Sequence, residues 1–421
     1  MTGKVHVIGA GLAGLAAAVR LAERGVRVEL SEAAAQAGGR CRSYFDPQLG
    51  GVIDNGNHLV MSGNHAVNDY VRLIGSETHL AGPEEAEFDF YDLVDNSRWR
   101  LHPNLGPLPW WIAAPSRRVP GTRTADYLAL AGLLNPKPGR RVDQAIRCQG
   151  PVWRRLMEPF LLAALNTAPE AGSAALAASV VRETLAKGGA AYRPRVAEPT
   201  LSAAFVDPAL AYLKAHGGEV RLGRRLRALT LEGERIARLA FADGEVEVGA
   251  EDRVVLATPP WVATGLLPGL SAPDAFSAIV NGHFKIAPPP ALRGENGAPA
   301  ITGVIGGTVE WVFAFEDRIS ITISGADRLV DEDRQALAAR LWPEVAQVLG
   351  LDAPLPPWQI VKEKRATFTA TVEQDQKRPQ AKTAWRNLIL AGDWTQTGLP
   401  ATIEGAVRSG FKAADLAFSP S

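Results

Sequence analysis

The sequence predicts an α/β protein: a parallel, helix-backed nucleotide-binding domain of Rossmann type, interrupted by an inserted α+β domain built of antiparallel sheet and helices. Three observations predict it. The chain opens on an apolar strand, a glycine turn, an amphipathic helix, a second strand and an acidic residue. A second buried-strand pattern, RVVLATPPW at 253–261, returns after a long helical block. A third, NLILAGDW at 387–394, precedes a last helix at the end of the chain. On this pattern residues 1–56, 200–261 and 385–421 form the nucleotide domain, and residues 57–199 and 262–384 form the substrate domain with its helical insertion.

The opening stretch carries the chemistry. Residues 4–8 are a strand, and Gly9, Gly11 and Gly14 spell G-x-G-x-x-G. Gly9 permits the tight turn, Gly11 lets the backbone approach a pyrophosphate, and Gly14 lets the helix pack closely on the strand. The helix N-terminus at Leu12 and Ala13 offers unpaired N–H groups and a partial positive charge to phosphate. Leu12, Leu15, Ala16 and Val19 share one helical face, while Arg20, Glu23 and Arg24 point away from it. Gly25 ends the helix, and the next strand leads to Glu32. Glu32 is placed to accept hydrogen bonds from both ribose hydroxyls, and its charge disfavours a 2′-phosphate.

The rest of the chain follows in order. Residues 66–74 read as a short helix, and FDFYDL with RWRLH as a hairpin around 95–97. Residues 105–118 hold Trp110 and Trp111 beside Arg117 and Arg118, a composition that suits either an interfacial membrane anchor or a buried core. Apolar helices are expected at 125–134, 152–165 and 174–185, then a helix at 207–216 capped by Gly217 and Gly218. Strands at 219–222, 224–231, 235–241 and 246–248 precede RVVL, which two prolines stop. In the second excursion 311–315 and 318–324 form a hairpin. There Ile319, Ile321 and Ile323 alternate with Ser320, Thr322 and Ser324, the pattern of a half-buried sheet face. A helix from Asp331 to about Leu349 and a strand at 358–364 complete the excursion.

Composition narrows the class. The chain has 421 residues, zero formal charge and 21% charged residues, so no basic excess points to nucleic acid. Cys41 and Cys148 lie far apart and make no metal motif, and no other metal-ligand spacing stands out. They fit a reducing compartment, and the chain has neither an export signal nor an apolar run long enough to span a bilayer. The expectation is a cytoplasmic protein, with docking on the inner membrane surface left open.

Gly38, Gly39 and Arg40 follow Glu32 closely, and Asp54, Asn55, Gly56, Asn57 and His58 come soon after. GGR in this place resembles the flavoprotein amine oxidase and carotenoid desaturase superfamily. That resemblance implies FAD, with Gly39 and Arg40 holding its phosphates, the arginine by charge, and the loop 54–58 beside the isoalloxazine. It implies that Leu226 meets the adenine through its backbone. It also implies that Gly392 and Asp393 bind the ribityl or pyrophosphate end, and that Ala401, Thr402 and Ile403 lie against the ring.

Four stretches narrow the match: DNGNHLV at 54–60, MEPFLLAALNTAPEAGSA at 157–174, EKRATF at 363–368 and AGDWTQTGLPATIEGAVRSG at 391–410. Together they resemble the hydroxysqualene dehydroxylase family, the bacterial squalene-associated FAD-dependent desaturases of hopanoid biosynthesis. The resemblance implies one FAD, a long-chain isoprenoid substrate, an external electron donor and reductive conversion of hydroxysqualene to squalene. A carotenoid-type polyene desaturase, an amine oxidase and a non-catalytic isoprenoid carrier are the alternatives on the same scaffold. The carbinol must receive a proton to leave, and in the loop beside the flavin His58 is the side chain that donates most readily near neutral pH. His58 is therefore the candidate catalytic acid, with Asp54 or an ordered water behind it.

Overall fold

The computed structural model describes residues 3–292 and 298–418. Its first layer is a five-stranded sheet in the order Glu219–Arg221, Val28–Ser31, Val5–Ile8, Arg253–Leu256, Leu388–Leu390. Every pairing is parallel, with Val5 opposite Val28 on one side and Arg253 on the other. Val5–Ile8 and Val28–Ser31 are buried at every residue, as a parallel sheet covered on both faces requires. The chain visits this sheet three times: with Val5–Ile8 and Val28–Ser31, with Glu219–Arg221 and Arg253–Leu256, and with Leu388–Leu390.

Helix Leu12–Glu23 lies on the sheet and packs against helix Ile403–Phe418. The approach is close because small residues face each other: a Cβ on Gly410 would stand 2.3 Å from the Ala13 carbonyl oxygen. Helix His65–Ile74 buries Val67, Tyr70, Val71 and Ile74 in the same core. The Glu404 carboxylate accepts its Ala66 and Val67 N–H groups at 3.1 and 3.0 Å. The boundary expected at 56/57 therefore crosses one packed core.

The second layer is a seven-stranded sheet in the order Trp358–Phe368, Phe276–Phe284, Ile319–Ile323, Trp311–Ala314, Ala300–Ile305, Phe88–Asp92, Ser97–Leu101. It is antiparallel except where Ala300–Ile305 runs parallel to Phe88–Asp92, the seam that joins the two excursions into one sheet. The sequence suggests a purely antiparallel sheet; the hairpin 88–101 comes from the other excursion and meets it by that parallel pair.

The strand Ile319–Ile323 is buried at every residue rather than half-buried. Ile319, Ile321 and Ile323 pack with Leu337, Leu341 and Val345 of helix Arg334–Leu349. Of the polar alternates, Thr322 and Ser324 face a cavity instead of solvent, and Ser320 shares a hydrogen bond with His283 Nδ1 at 2.8 Å. Helix Arg334–Leu349 starts later than Asp331, because Asp333 caps it by accepting the Ala336 N–H at 3.0 Å. The helix expected at 125–134 is α-helical only over Thr124–Leu128 and tightens into a 3₁₀ turn over Ala129–Leu133. The one expected at 152–165 begins as a π-helix, Trp153–Met157, before Glu158–Leu165. Pro260 opens a helix, Pro260–Leu266, as proline does at a first helical position. Trp110 and Trp111 divide between the two readings. Trp111 is buried, whereas Trp110 is 57% exposed with Leu105 and Leu108 beside it in sequence and Arg117 stacked on its ring.

Candidate active site

A cavity of about 660 Å³ runs between the two layers, from the glycine fingerprint to the underside of the second sheet. At its nucleotide end Gly9 adopts φ +107°, a backbone that side-chain-bearing residues rarely tolerate, and its Cβ position lies 2.6 Å from the Ala257 oxygen. Gly11 lines the cavity and has nothing within 4 Å of its Cβ position; the space is open for a ligand. Gly14 does not line it but packs, with a Cβ position 1.8 Å from the Gly9 oxygen. Leu12 and Ala13 present the start of a helix that has no side-chain cap and no acidic residue in its first turn, so its N–H groups are free for phosphate. Glu32 ends the second strand at the cavity wall. Its carboxylate accepts the Ala10 N–H at 2.7 Å and the Ala34 N–H at 2.8 Å, which fixes it with lone pairs to spare. Leu226 lines the same end.

The middle of the cavity is built from three segments far apart in sequence. Gly39 and Arg40 come from the glycine loop, Asn55, Gly56, Asn57 and His58 from the loop after strand Gly51–Asp54, and Gly392 and Asp393 from the end of the last strand. Arg40 and Asp393, expected to act separately on the cofactor, are joined: one guanidinium nitrogen donates to both Asp393 oxygens at 2.8 Å. The Asp393 charge holds the Arg40 guanidinium above its ordinary range. Ala401, Thr402 and Ile403 enter at the start of the last helix, where the Thr402 hydroxyl accepts the Gly405 N–H at 3.0 Å. Thr258 also lines the cavity, and its buried hydroxyl has no hydrogen-bond partner among the described residues. Sequence reasoning missed it, since a lone threonine before two prolines carries no signal.

His58 lines the cavity, but its chemistry differs from the expectation. Burial, with the Arg40 charge adding to it, depresses its pKa to about 4 despite a hydrogen bond with the Arg40 backbone. The ring is neutral at pH 7 and is a poor proton donor there. Burial raises the Asp54 carboxyl above its ordinary range, but Asp54 does not line the cavity; it accepts from the Ser43 hydroxyl at 2.5 Å and the Leu201 N–H at 3.0 Å. Cys41 is buried and its thiol is pushed up to about 12, which leaves it inert.

The second sheet roofs the far part of the cavity, and its face is divided. Phe88, Phe90, Leu101, Trp311 and Phe313 form an aromatic half. Asn281, Thr322, Ser324 and Glu363 form a polar half. The polar half is knitted to the loop at 55–58: Asn57 Nδ2 donates to the Thr322 hydroxyl at 3.1 Å, Thr322 donates to Asn281 Oδ1 at 2.8 Å, and Asn55 Nδ2 donates to Glu363 at 3.3 Å. Behind Ser324, whose N–H it accepts at 2.8 Å, burial pushes the Glu310 carboxyl up to about 7. The helix containing Phe160, Ala163 and Ala164 closes the apolar side.

Comparison with known proteins decides what this arrangement is. The family described as flavin containing amine oxidoreductase matches residues 12–417. A hydroxysqualene dehydroxylase of Rhodopseudomonas palustris is 57% identical over 99% of this chain and 98% of its own length. That of Zymomonas mobilis is 49% identical over 99% of both. The chain belongs to the flavin-containing amine oxidoreductases, in the hydroxysqualene dehydroxylase family. It is a flavin-dependent oxidoreductase. Among solved structures, cyclohexylamine oxidase from Brevibacterium oxydans shares the fold, with a TM-score of 0.70 at 16% identity over 99% of this chain and 98% of that one. The residues present fit a flavin dinucleotide: an open glycine turn with an uncapped helix start, a fixed ribose-end carboxylate and the unpartnered Thr258 hydroxyl lie along one continuous wall.

Proposed function

We propose that the protein binds one FAD non-covalently and reductively dehydroxylates hydroxysqualene to squalene, a step of hopanoid biosynthesis. The observation that carries this reading is the single cavity, whose nucleotide end opens directly into a chamber half aromatic and half polar. A substrate that is hydrocarbon except for one carbinol matches that division: the arms lie on Phe88, Phe90 and Phe313, and the hydroxyl faces Asn281 and Thr322. The Gly11 turn would hold the FAD phosphates, and Glu32 would take the ribose. The Arg40–Asp393 pair would hold the ribityl and pyrophosphate end. The reduced flavin supplies hydride to the carbon that loses oxygen. The chain supplies a dry apolar wall that keeps water from the electron-poor carbon as the C–O bond opens.

The single glycine fingerprint is committed to FAD, so electrons come from an external donor rather than a second bound nucleotide. The substrate resides in bilayers, and the exposed Leu105, Leu108 and Trp110 with Arg117 form the surface on which the protein docks there. No helix among the described residues is long and apolar enough to cross a membrane. Anaerobic incubation of the reduced protein with hydroxysqualene tests the function: squalene is the expected product. Absence of flavin absorption bands would instead favour a non-catalytic isoprenoid carrier, and a desaturated polyene product from a flavin-loaded protein would favour a desaturase.

A further inference from the structure

Removing a hydroxyl needs a proton at oxygen as well as a hydride at carbon, so a group able to carry that proton must stand on the cavity wall. The cavity wall carries five carboxylates, Glu32, Glu183, Glu363, Asp393 and Glu404. Four are engaged. Glu32 accepts two backbone N–H groups, Asp393 is paired with Arg40, and Glu183 and Glu404 are both paired with Arg408. Glu363 has no ion pair among the described residues, and its one hydrogen bond comes from the Asn55 amide at 3.3 Å. It stands on strand Trp358–Phe368 opposite Ile279, in the polar half of the roof and tied to the loop of His58.

We propose, on the reading of the function given above, that Glu363 is the catalytic acid and that Asn55 positions it. The Glu363 O–H bond breaks and its proton passes to the carbinol oxygen. The C–O bond breaks with its electron pair, and water leaves. The carbon takes hydride from the reduced flavin, so carbon is reduced, flavin is oxidised by two electrons, and Glu363 is left as carboxylate. The charged and titratable groups around it are Arg40 with its partner Asp393, the neutral His58, and Arg365 two residues along its own strand, whose guanidinium stacks 4.8 Å from the Trp261 ring centre. Lys362 and Lys364 on the same strand are turned to other partners, the Val330 carbonyl and Asp331.

The test uses flavin-loaded wild type, Glu363→Gln, Glu363→Asp and Glu310→Gln, reduced anaerobically and mixed with hydroxysqualene in detergent for a single turnover. General acid catalysis predicts that Glu363→Gln slows dehydroxylation by about 10²–10⁴-fold, with Glu363→Asp recovering part of the loss. Two readouts besides rate accompany it: substrate affinity from perturbation of the flavin spectrum stays within about threefold, and the infrared C=O stretch of a protonated carboxyl in the substrate complex disappears in Glu363→Gln. A Glu363→Gln rate within about threefold of wild type overturns the proposal. So does a loss explained wholly by weaker substrate or flavin binding, or a loss confined to Glu310→Gln, which moves the acid to the Ser324 side. A wild type that leaves hydroxysqualene unchanged overturns the assigned reaction itself, and is thereby distinct from failure of Glu363 alone.

Discussion

Gly11→Ala and Gly14→Ala separate cofactor binding from folding within a single motif. At Gly11 the backbone is extended, φ −72° and ψ 174°, which alanine adopts without strain. No atom lies within 4 Å of the new methyl, and it projects into the cavity where the pyrophosphate is proposed to pass. The flavin-free protein loses only the difference between glycine and alanine at a helix N-cap, about 0.5–1 kcal/mol. Flavin affinity falls at least about 100-fold, or about 2.7 kcal/mol, because the phosphate must retreat from the N–H groups that bind it. At Gly14 the methyl would stand 1.8 Å from the Gly9 carbonyl oxygen and 3.2 Å from Ala257 Cβ, inside the strand–helix contact. Helix and strand must part, which costs the fold about 3 kcal/mol or more. Urea denaturation of flavin-free protein and titration with FAD followed by flavin fluorescence quenching give both numbers for each variant. A Gly11→Ala protein that binds FAD as wild type does would refute the placement of the phosphates. A flavin-free Gly14→Ala protein as stable as wild type would refute the packing role of Gly14.

Three further outcomes follow from the same geometry. Asp393→Asn removes the counter-charge of Arg40 and should weaken FAD by about 1.5–3 kcal/mol, the worth of hydrogen bonds to a charged group, as read by the same titration; unchanged affinity would separate the pair from the cofactor. His58 and His283 are both held neutral, their pKa values depressed to about 4 chiefly by burial. The unfolded chain takes up their protons below about 6.5 and the fold does not, so flavin-free protein should lose stability as pH falls from about 6.5 to 4. In His58→Gln the gap between urea midpoints at pH 7 and pH 5 should narrow, and an unaltered gap would contradict the assignment. Trp110→Ser should lower liposome flotation with folding intact, whereas Trp111→Ser, emptying a buried site, should destabilise by about 3–5 kcal/mol; flotation unaffected by Trp110→Ser would remove that surface from membrane docking.

The nucleotide half of the site was legible in sequence because its requirements are local. A tight turn, a close helix contact and a strand-end carboxylate each select a residue type at fixed spacing, so Gly9, Gly11, Gly14 and Glu32 announce themselves. The meeting of Arg40 with Asp393 was not legible, although each residue was singled out. Their contact spans 353 positions and depends on how the last strand enters the sheet. The polar roof was harder still. Its members Asn281, Thr322, Ser324 and Glu363 come from three strands, one residue or two from each, and no window of sequence contains them together. The alternation of isoleucine with serine and threonine at 319–324 was visible, yet period two reports only that the faces differ. It does not tell solvent from a buried polar chamber. That distinction is set by what lies beneath the strand, here a cavity shared with the loop at 55–58. His58 shows the same limit in reverse. The loop places it on the cavity wall, but acidity is a property of surroundings, and burial beside Arg40 makes it neutral. A cavity that keeps its histidine uncharged, four of its five carboxylates engaged and one tied only to an asparagine has partitioned its polar groups. On the proposed reading, the paired charges would serve the cofactor phosphates, and Glu363 would face the place where an oxygen leaves.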